Sequence, residues 1–573
     1  MQEESHNTNR RLRNVFFNTH TVSGIIISVG LYVIFLAGAF ALFQNTINNW
    51  EISELEKEIS PRLNYDDILD KVAAKGYQMY RRDINFSLVE NNGSYLSVFS
   101  PSLVNKISTD SLNNLGGQDS VRYSEAIADF TFVFDADNGQ LLAPDEGNGA
   151  QERIGRLLTK LHYFQQIPVI GIFLSGFVSL FFLFGIVSGI IIHWKKIVSN
   201  FFTFRLKSSI KNLWADAHTA LGVLGIPFQL MYALTGTTFG LGVVIFPIAY
   251  VVLDEPDKIV DIFLPERKSY ELIGQSDNQV PVTPIVEDLL RELPEEEIRS
   301  FRVMVKNYGD QNAHLTTVFY TNTKEDFSGK ATATHKLSNG SLVSKESHKE
   351  SSFRTASAEY FLQLHFGNFG GNPVRIIYFL LALLTCFVII TGVMVWLTAR
   401  EKKTYANKAK FNQNVGAIYL GACLGLYPAI AILFIIAKVL PLDMDGRYRL
   451  INYTFFGFWL AYTTYASLIK SNFKINKHAL LLAGTLGLGI PVANGLVTGL
   501  WFWTSYGQGY VDSFFVDVSW LMLGGISLWA AFVVKPTHQR REVTKNEMRS
   551  AERYYKPQVK PYEPALTINQ TQE

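Results

Sequence analysis

Four histidines stand at matched places in two stretches of this 573-residue chain. His20 opens an apolar run within Asn18-Thr19-His20-Thr21-Val22-Ser23-Gly24, and His218 opens another within Asp216-Ala217-His218-Thr219-Ala220-Leu221-Gly222. Each is followed by a Leu-x-Gly whose glycine lies 18 residues on, at Gly38 and Gly236. His162 and His365 each follow a leucine, precede a long apolar stretch, and stand 27 residues before Gly189 and Gly392. Two gap-free registers imply a duplicated membrane unit with one histidine pair toward each membrane face. Paired imidazoles inside a helical bundle hold a haem iron from both sides, so His20 with His218 and His162 with His365 are the expected axial ligands. Filling both axial positions suits electron transfer better than oxygen binding. Each ligating imidazole must be neutral, with its other nitrogen hydrogen-bonded.

His193, in Ile191-Ile192-His193-Trp194-Lys195-Lys196, stands outside this symmetry, because Trp396 occupies the matching place in the second copy. It reads as a propionate contact or an interfacial residue, with an alternative ligand role at the inner pair left open. A single histidine near a span end is as readily a hydrated interfacial residue as a ligand; the pairing is what favours ligation. Gly24, Gly222, Gly38, Gly236, Gly189 and Gly392 let helices or a flat macrocycle approach closely, although ordinary helix packing uses small residues as often. Lys195, Lys196, Arg205, Lys207 and Lys211 are topology signals first and candidate propionate partners second. Zinc is the competing ligand reading, and no HExxH, cysteine pair or His-x-x-x-His supports it. His314, His335 and His348 are too widely spaced to form a site. No GxGxxG or Walker A loop is present, so no nicotinamide, flavin or nucleotide domain is implied and electrons must come from elsewhere.

Long apolar elements are needed to position these histidines. The chain is 48% hydrophobic and 18% charged with a net charge of +2, which fits a membrane protein with soluble insertions and gives no sign of a nucleic-acid partner. Cys386 and Cys423 fall in apolar runs and imply no disulfide framework. Candidate spans run near 15–43, 168–194, 214–250, 374–398, 413–440, 451–470, 479–503 and 514–535, each long enough for a hydrocarbon core of about 30 Å. If eight spans alternate, the basic clusters at Arg10 to Arg13, Lys195 to Lys211, Arg400 to Lys403, Lys470 to Lys477 and Lys535 to Arg541 share one side. The positive-inside rule makes that side cytoplasmic, with both termini there and the two long insertions outside. The first span resembles a signal peptide, with Ala37-Gly38-Ala39 as a small-residue site, but its apolar run is too long and its match to the span at His218 argues for retention.

The insertions, roughly 45–165 and 251–360, repeat one plan. Helices are expected at Asp66–Lys75 and Pro284–Glu292. Strands follow at Ile84–Val89 and Tyr95–Phe99, and at Arg302–Val305 and Leu315–Tyr320. Each then has a strand, an Asn-Gly turn and a strand, over 130–141 and 332–342. The organisation is therefore repeat 1 over 10–212, repeat 2 over 213–400, a four-span module over 413–535 and a tail over 536–573. The four-span module lacks the histidine pattern; His478 falls in a predicted cytoplasmic loop, and Pro428, Pro491 and Asn494 mark kinks or helix contacts.

A histidine-bearing span, an outer domain ending in a hairpin, a Leu-His, and a span ending in Gly then Trp resembles the PepSY-associated transmembrane family. The carriers are His20, Asp135 to Leu141, Leu161-His162, Gly189 and Trp194, then His218, Asn339-Gly340, Leu364-His365, Gly392 and Trp396. The resemblance covers roughly 10–400; Thr334-His335-Lys336 departs from the acidic hairpin start, and the last four spans lie outside the family core. It implies an α-helical polytopic protein with two small α+β PepSY-like domains, and members that are inner-membrane di-haem reductases of iron–siderophore complexes. The expected function is a bacterial inner-membrane di-haem b oxidoreductase. Electrons from a membrane quinol or a separate cytoplasmic reductant pass from the inner to the outer haem and reduce a periplasmic ferric siderophore or other ferric chelate, releasing Fe(II). The alternatives are a non-redox membrane protein that binds or regulates a periplasmic partner, and a transporter using the last four spans.

Overall fold

The computed structural model describes residues 2–53, 61–89, 93–99, 130–134, 139–145, 153–194, 197–201, 205, 210–252, 268–276, 278–292, 298–321, 330–346, 353–400 and 409–536. The first hairpin's start at Asp135 to Asn138, the basic residues Lys195, Lys196, Lys207, Lys402, Lys403, Arg540 and Arg541, His348, and all of the tail beyond 536 lie outside them.

Long apolar runs fold as helices because a buried or lipid-facing backbone must satisfy its own hydrogen bonds. In the family-like half these are α1 (Gln2–Ala41), α5 (Ile170–His193), α7 (Ile210–Val252) and α10 (Gly371–Ala399). Short helices α2 (Gln44–Ile52), α3 (Tyr65–Ala74) and α4 (Ile154–His162) lie between the first two, and α6 (Ile197–Phe201) follows α5. Helices α8 (Val282–Arg291) and α9 (Phe353–Phe366) lie between the second two. The C-terminal half adds α11 (Ala409–Val439), α12 (Arg447–Ile469), α13 (Asn472–Thr498), a short α14 (Phe502–Ser505) and α15 (Val511–Val533).

Among the described residues, seven of these helices, rather than the expected eight, are long and apolar enough to cross a membrane. The exception is α12, which covers the span expected near 451–470. It is helical throughout, but Arg447, Arg449, Asn452 and a series of Tyr and Thr residues dilute its apolar content. Large apolar side chains point outward along the bundle, including Ile26, Phe184, Ile377, Leu468, Leu496 and Phe532. That arrangement is costly in water and expected against lipid. Helix α1 packs on α4, α5, α10 and α11 and forms the centre of the bundle.

The strands are β1 (Asp83–Val89), β2 (Gly93–Phe99), β3 (Phe130–Phe134), β4 (Leu141–Asp145), β5 (Ile298–Lys306), β6 (His314–Thr321), β7 (Lys330–Lys336) and β8 (Leu342–Glu346). Each insertion supplies a four-stranded antiparallel meander. The two do not stay separate, as the sequence suggested: they form one eight-stranded sheet in the order β4-β3-β2-β1-β5-β6-β7-β8. The seam pairs β1 with β5, antiparallel, from Ile84↔Val305 to Val89↔Ser300. Alternation places Ile84, Phe86 and Leu88, and across the seam Phe301, Val303 and Val305, on one buried face. Tyr65, Ile68, Leu69 and Val72 of α3 and Val282, Ile285, Val286 and Leu290 of α8 cover that face.

One carboxylate joins the two covering helices. Asp66 accepts hydrogen bonds from the backbone N–H groups of Val282 (2.9 Å) and Thr283 (2.8 Å), and so caps α8 from the other insertion. Replacing Asp66 by Ala leaves both donors without that acceptor. The sheet domain is expected to lose about 1 kcal/mol or somewhat more, measured as a lower unfolding midpoint followed by an aromatic reporter in the sheet.

A candidate pair of bis-histidine sites

The registers seen in the sequence become contacts. His20 on α1 and His218 on α7 face one another with ring centroids 6.1 Å apart and planes at 69°. His162 at the end of α4 and His365 near the end of α9 do the same at 6.0 Å and 52°. Two metal–nitrogen bonds of about 2 Å, with about 1.1 Å from each nitrogen to its ring centre, place the centroids of a bis-imidazole pair about 6.2 Å apart. Both separations match that span.

Each ring is held by its Nδ1. His20 Nδ1 meets the Gly185 carbonyl at 2.9 Å and Ser188 Oγ at 3.2 Å on α5. His218 Nδ1 meets the Val388 carbonyl at 2.9 Å and Thr391 Oγ1 at 3.5 Å on α10. These partners correspond: Gly185 to Val388 and Ser188 to Thr391 are offset by the same 203 residues that separate His162 from His365. His162 Nδ1 donates to the Ile34 carbonyl on α1 at 2.8 Å. His365 differs. Its Nδ1 lies 2.8 Å from Thr235 Oγ1, and that hydroxyl donates onward to the Met231 carbonyl at 2.9 Å, so it accepts from the imidazole. In all four rings Nδ1 then carries the proton and Nε2 the lone pair, the tautomer that a metal-ligating histidine with an outer partner adopts.

Glycines make room beside the rings. A Cβ at Gly38 would lie 2.6 Å from His162 Nδ1, one at Gly392 2.9 Å from His218 Cε1, and one at Gly189 3.3 Å from His20 Cε1. Gly236, expected to play the same part, instead faces Ser179, while a Cβ at Gly24 would meet nothing within 4 Å. The small residues therefore divide into those that seat an imidazole and those that do not.

The pair at His162 and His365 opens on a cavity of about 650 Å³, within the size range of cofactor pockets. Phe35, Phe182, Phe228, Tyr232 and Phe239 line it. Tyr232 packs on the His365 ring at 4.9 Å and its hydroxyl donates to the His365 carbonyl at 2.8 Å. Helix α1 carries His20 and, 14 residues on, the Ile34 carbonyl, which sets the two sites about 21 Å apart along the helix.

Among the described residues no group of three or more His, Cys, Asp or Glu could hold a bare metal ion. Two imidazoles do not complete a tetrahedral ion, but they do complete an iron whose four other nitrogens come from a macrocycle. The tautomers, the ring separations, the glycine clefts and the aromatic cavity all fit haem.

His193 ends α5, half-buried and one turn beyond Gly189, within electrostatic reach of His20 and Arg13. It lies within electrostatic reach of His218 as well, and so stands beside the inner pair. At its counterpart, Trp396, the Arg400 guanidinium lies 3.9 Å over the ring. Arg205, a candidate propionate partner, is committed to Asp216 through two bonds of 2.9 and 2.7 Å. His314 stacks on Tyr270 at 3.7 Å, and burial pushes its imidazole below the ordinary range. His478, expected in a loop, lies inside α13 and hydrogen-bonds Tyr465. Thr235, Tyr232, Ser188 and Thr391 were not singled out from sequence, although the 203-residue offset pairs Ser188 with Thr391.

The family model described as PepSY-associated TM region matches residues 17–399, more than half of the chain and the part that contains all four paired histidines. Among curated proteins, none matches the chain.

Proposed function

Because the chain belongs to the PepSY-associated TM region family and spans the membrane several times, we propose that it is a di-haem b electron-transfer protein of a bacterial inner membrane. The observation that carries this reading is the doubled bis-histidine geometry, 6.1 and 6.0 Å between ring centroids, with each Nδ1 hydrogen-bonded. When bound, haem supplies reversible one-electron iron chemistry. The protein's own contribution is orientation. Backbone carbonyls and Thr235 fix the tautomers, glycines seat the rings, and aromatic side chains pack around the outer site.

The chain is read as a tandem repeat of span, PepSY-like domain and span, with the sheet periplasmic and, counting the 23-residue α12 as an eighth span, both termini cytoplasmic. Charge asymmetry supports that orientation. Electrons enter on the cytoplasmic side from a membrane quinol or a separate reductant and leave on the sheet side. The acceptor is a ferric siderophore or another ferric chelate; reduction to Fe(II) weakens hard-oxygen chelation and releases the metal. The donor side and the ferric acceptor rest on charge pattern and family resemblance rather than on the histidine geometry.

The test is a reduced-minus-oxidised spectrum with haem quantification, followed by titration with ferric chelates. Two b-type haems per chain, and oxidation of the reduced protein by ferric chelates, are expected. A purified protein without reduced b-type bands, even after haem supplementation, would overturn the reading.

A further inference from the structure

The four C-terminal helices carry no paired histidine, yet they converge on a single short helix next to the outer pair. Asn48, Asn49, Trp50 and Glu51 of α2 are all buried, an unusual run for polar residues. Glu51 is 3% exposed. Its Oε2 accepts a hydrogen bond from the backbone N–H of Ile154 at 2.8 Å, and its Oε1 accepts one from Arg447 Nη1 at 2.6 Å. Ile154 is the first residue of α4, and Arg447 is the first residue of α12.

Two of the other long C-terminal helices bind the same segment, and the third reaches it through Asp517. Lys438 of α11 donates to the Trp50 and Glu51 carbonyls. Asp512 of α15 accepts from Asn49 Nδ2 at 2.7 Å, and Asp517 accepts from Trp50 Nε1 at 2.9 Å. Asn494 of α13 donates to the other oxygen of Asp517 at 2.8 Å. Helices α11, α12 and α15 are therefore tied to α2 directly by buried polar groups and α13 through Asp517 of α15, and α2 is tied to the start of α4 by one carboxylate.

Helix α4 has nine residues and ends at His162. It is a short rod, about 12 Å long, with Glu51 at one end and the outer imidazole at the other. Its seat is tight: a Cβ at Gly155 would lie 2.5 Å from the Gln44 carbonyl oxygen. A carboxylate at a helix N-terminus satisfies an orphan N–H and meets the positive end of the helix dipole. Arg447 compensates the burial of that carboxylate, and removing either partner leaves a buried charge uncompensated.

We propose that Glu51 is a positioning residue for His162, and that the four C-terminal helices act on the outer histidine pair through it. The proposal rests on the haem reading for its redox consequence. The control of α4 by Glu51 does not.

The experiment uses the full-length protein in nanodiscs, with two readouts. Amide hydrogen exchange over residues 154–162 reports how firmly α4 is seated. Electron paramagnetic resonance and redox titration report the outer haem, with the inner haem as internal reference. In Glu51→Ala, exchange over 154–162 should rise at least tenfold, and the outer haem signal should shift or fall while the inner one is unchanged. Glu51→Gln keeps an acceptor for Ile154 but loses the charge, so both haems should stay, with a smaller shift of the outer signal. Gly155→Ala displaces α4 with Glu51 and Arg447 untouched, and should reproduce the outer-haem signature even if Glu51→Ala does not assemble. Unchanged exchange and an unchanged outer signal in Glu51→Ala would overturn the proposal. So would equal loss of both haems in Glu51→Gln and Gly155→Ala, which would mark a general folding role. Wild-type protein without haem would overturn the haem reading alone, and the exchange comparison would still decide what Glu51 does.

Discussion

Replacing His365 by Ala is expected to leave one haem per chain instead of two, with the remaining spectrum that of the site at His20 and His218. The substitution removes one of the two imidazoles that would hold the haem, from a cavity otherwise lined mainly by aromatic and aliphatic side chains. His162 alone offers one bond where the site is built for two. The inner pair should survive, because its hydrogen-bond partners Gly185, Ser188, Val388 and Thr391 lie on α5 and α10, away from the His365 ring. Electron delivery to an outer ferric chelate should then fall by at least about 100-fold, the upper end of what loss of a mere outer-sphere partner costs. Thr235→Val removes only the Nδ1 partner, and belongs in the range of about 10- to 100-fold in haem affinity. Haem quantification and a reduced-minus-oxidised spectrum check both. Loss of both haems in equal measure from His365→Ala would contradict independent sites.

Gly38→Ala is expected to cost the outer haem as surely as a change of ligand, by adding one methyl group. That methyl would stand 2.6 Å from His162 Nδ1. The ring must move, and in moving it must weaken the 2.8 Å bond to the Ile34 carbonyl that sets its tautomer. Gly392→Ala does the same at the inner pair, where the added carbon falls 2.9 Å from His218 Cε1. In a helix, Gly→Ala is otherwise favourable by about 1 kcal/mol, so a defect cannot be ascribed to a weakened helix. Gly24→Ala is the control, since its Cβ meets nothing within 4 Å. The expected pattern is loss of the outer haem in the first, loss of the inner haem in the second, and two haems in the third. Two haems in all three would remove the glycines from the site.

The histidine pairing was legible because it is written as register. Equal spacings from His20 to Gly38 and from His218 to Gly236 survive in sequence, and the fold turns them into facing rings. The helical character of the long spans was legible for the ordinary reason that apolar windows of this length have few other outcomes. Three features were not. The seam between β1 and β5 joins residues more than 200 positions apart, and no local pattern tells an edge strand which partner it will meet. The burial of Glu51, Arg447 and Asp512 was hidden because charged residues between spans read as solvated loop, and the partner of Asp517, inside the last expected span, shows only once the helices pack. Thr235 was hidden because the second copy changed its mechanism. A side-chain hydroxyl serves His365 where a carbonyl serves His162, and symmetry predicts the carbonyl.

The seam also has a consequence for how the chain is made. Strand β1 is complete at Val89, but its partner β5 begins at Ile298. At synthesis rates of about 5–20 residues per second, the edge bearing Ile84, Phe86 and Leu88 waits roughly 10–40 s for its other half. During that interval the first meander presents an open, apolar edge strand, the kind of surface on which chains pair wrongly with one another. Closing a contact so distant in sequence is slow, because the entropy of the loop is paid before any pairing rewards it. Assembly should therefore be most vulnerable between insertion of the second membrane helix and emergence of the fifth strand. A nascent chain arrested there should recruit holdase chaperones, and one extended past β5 should release them.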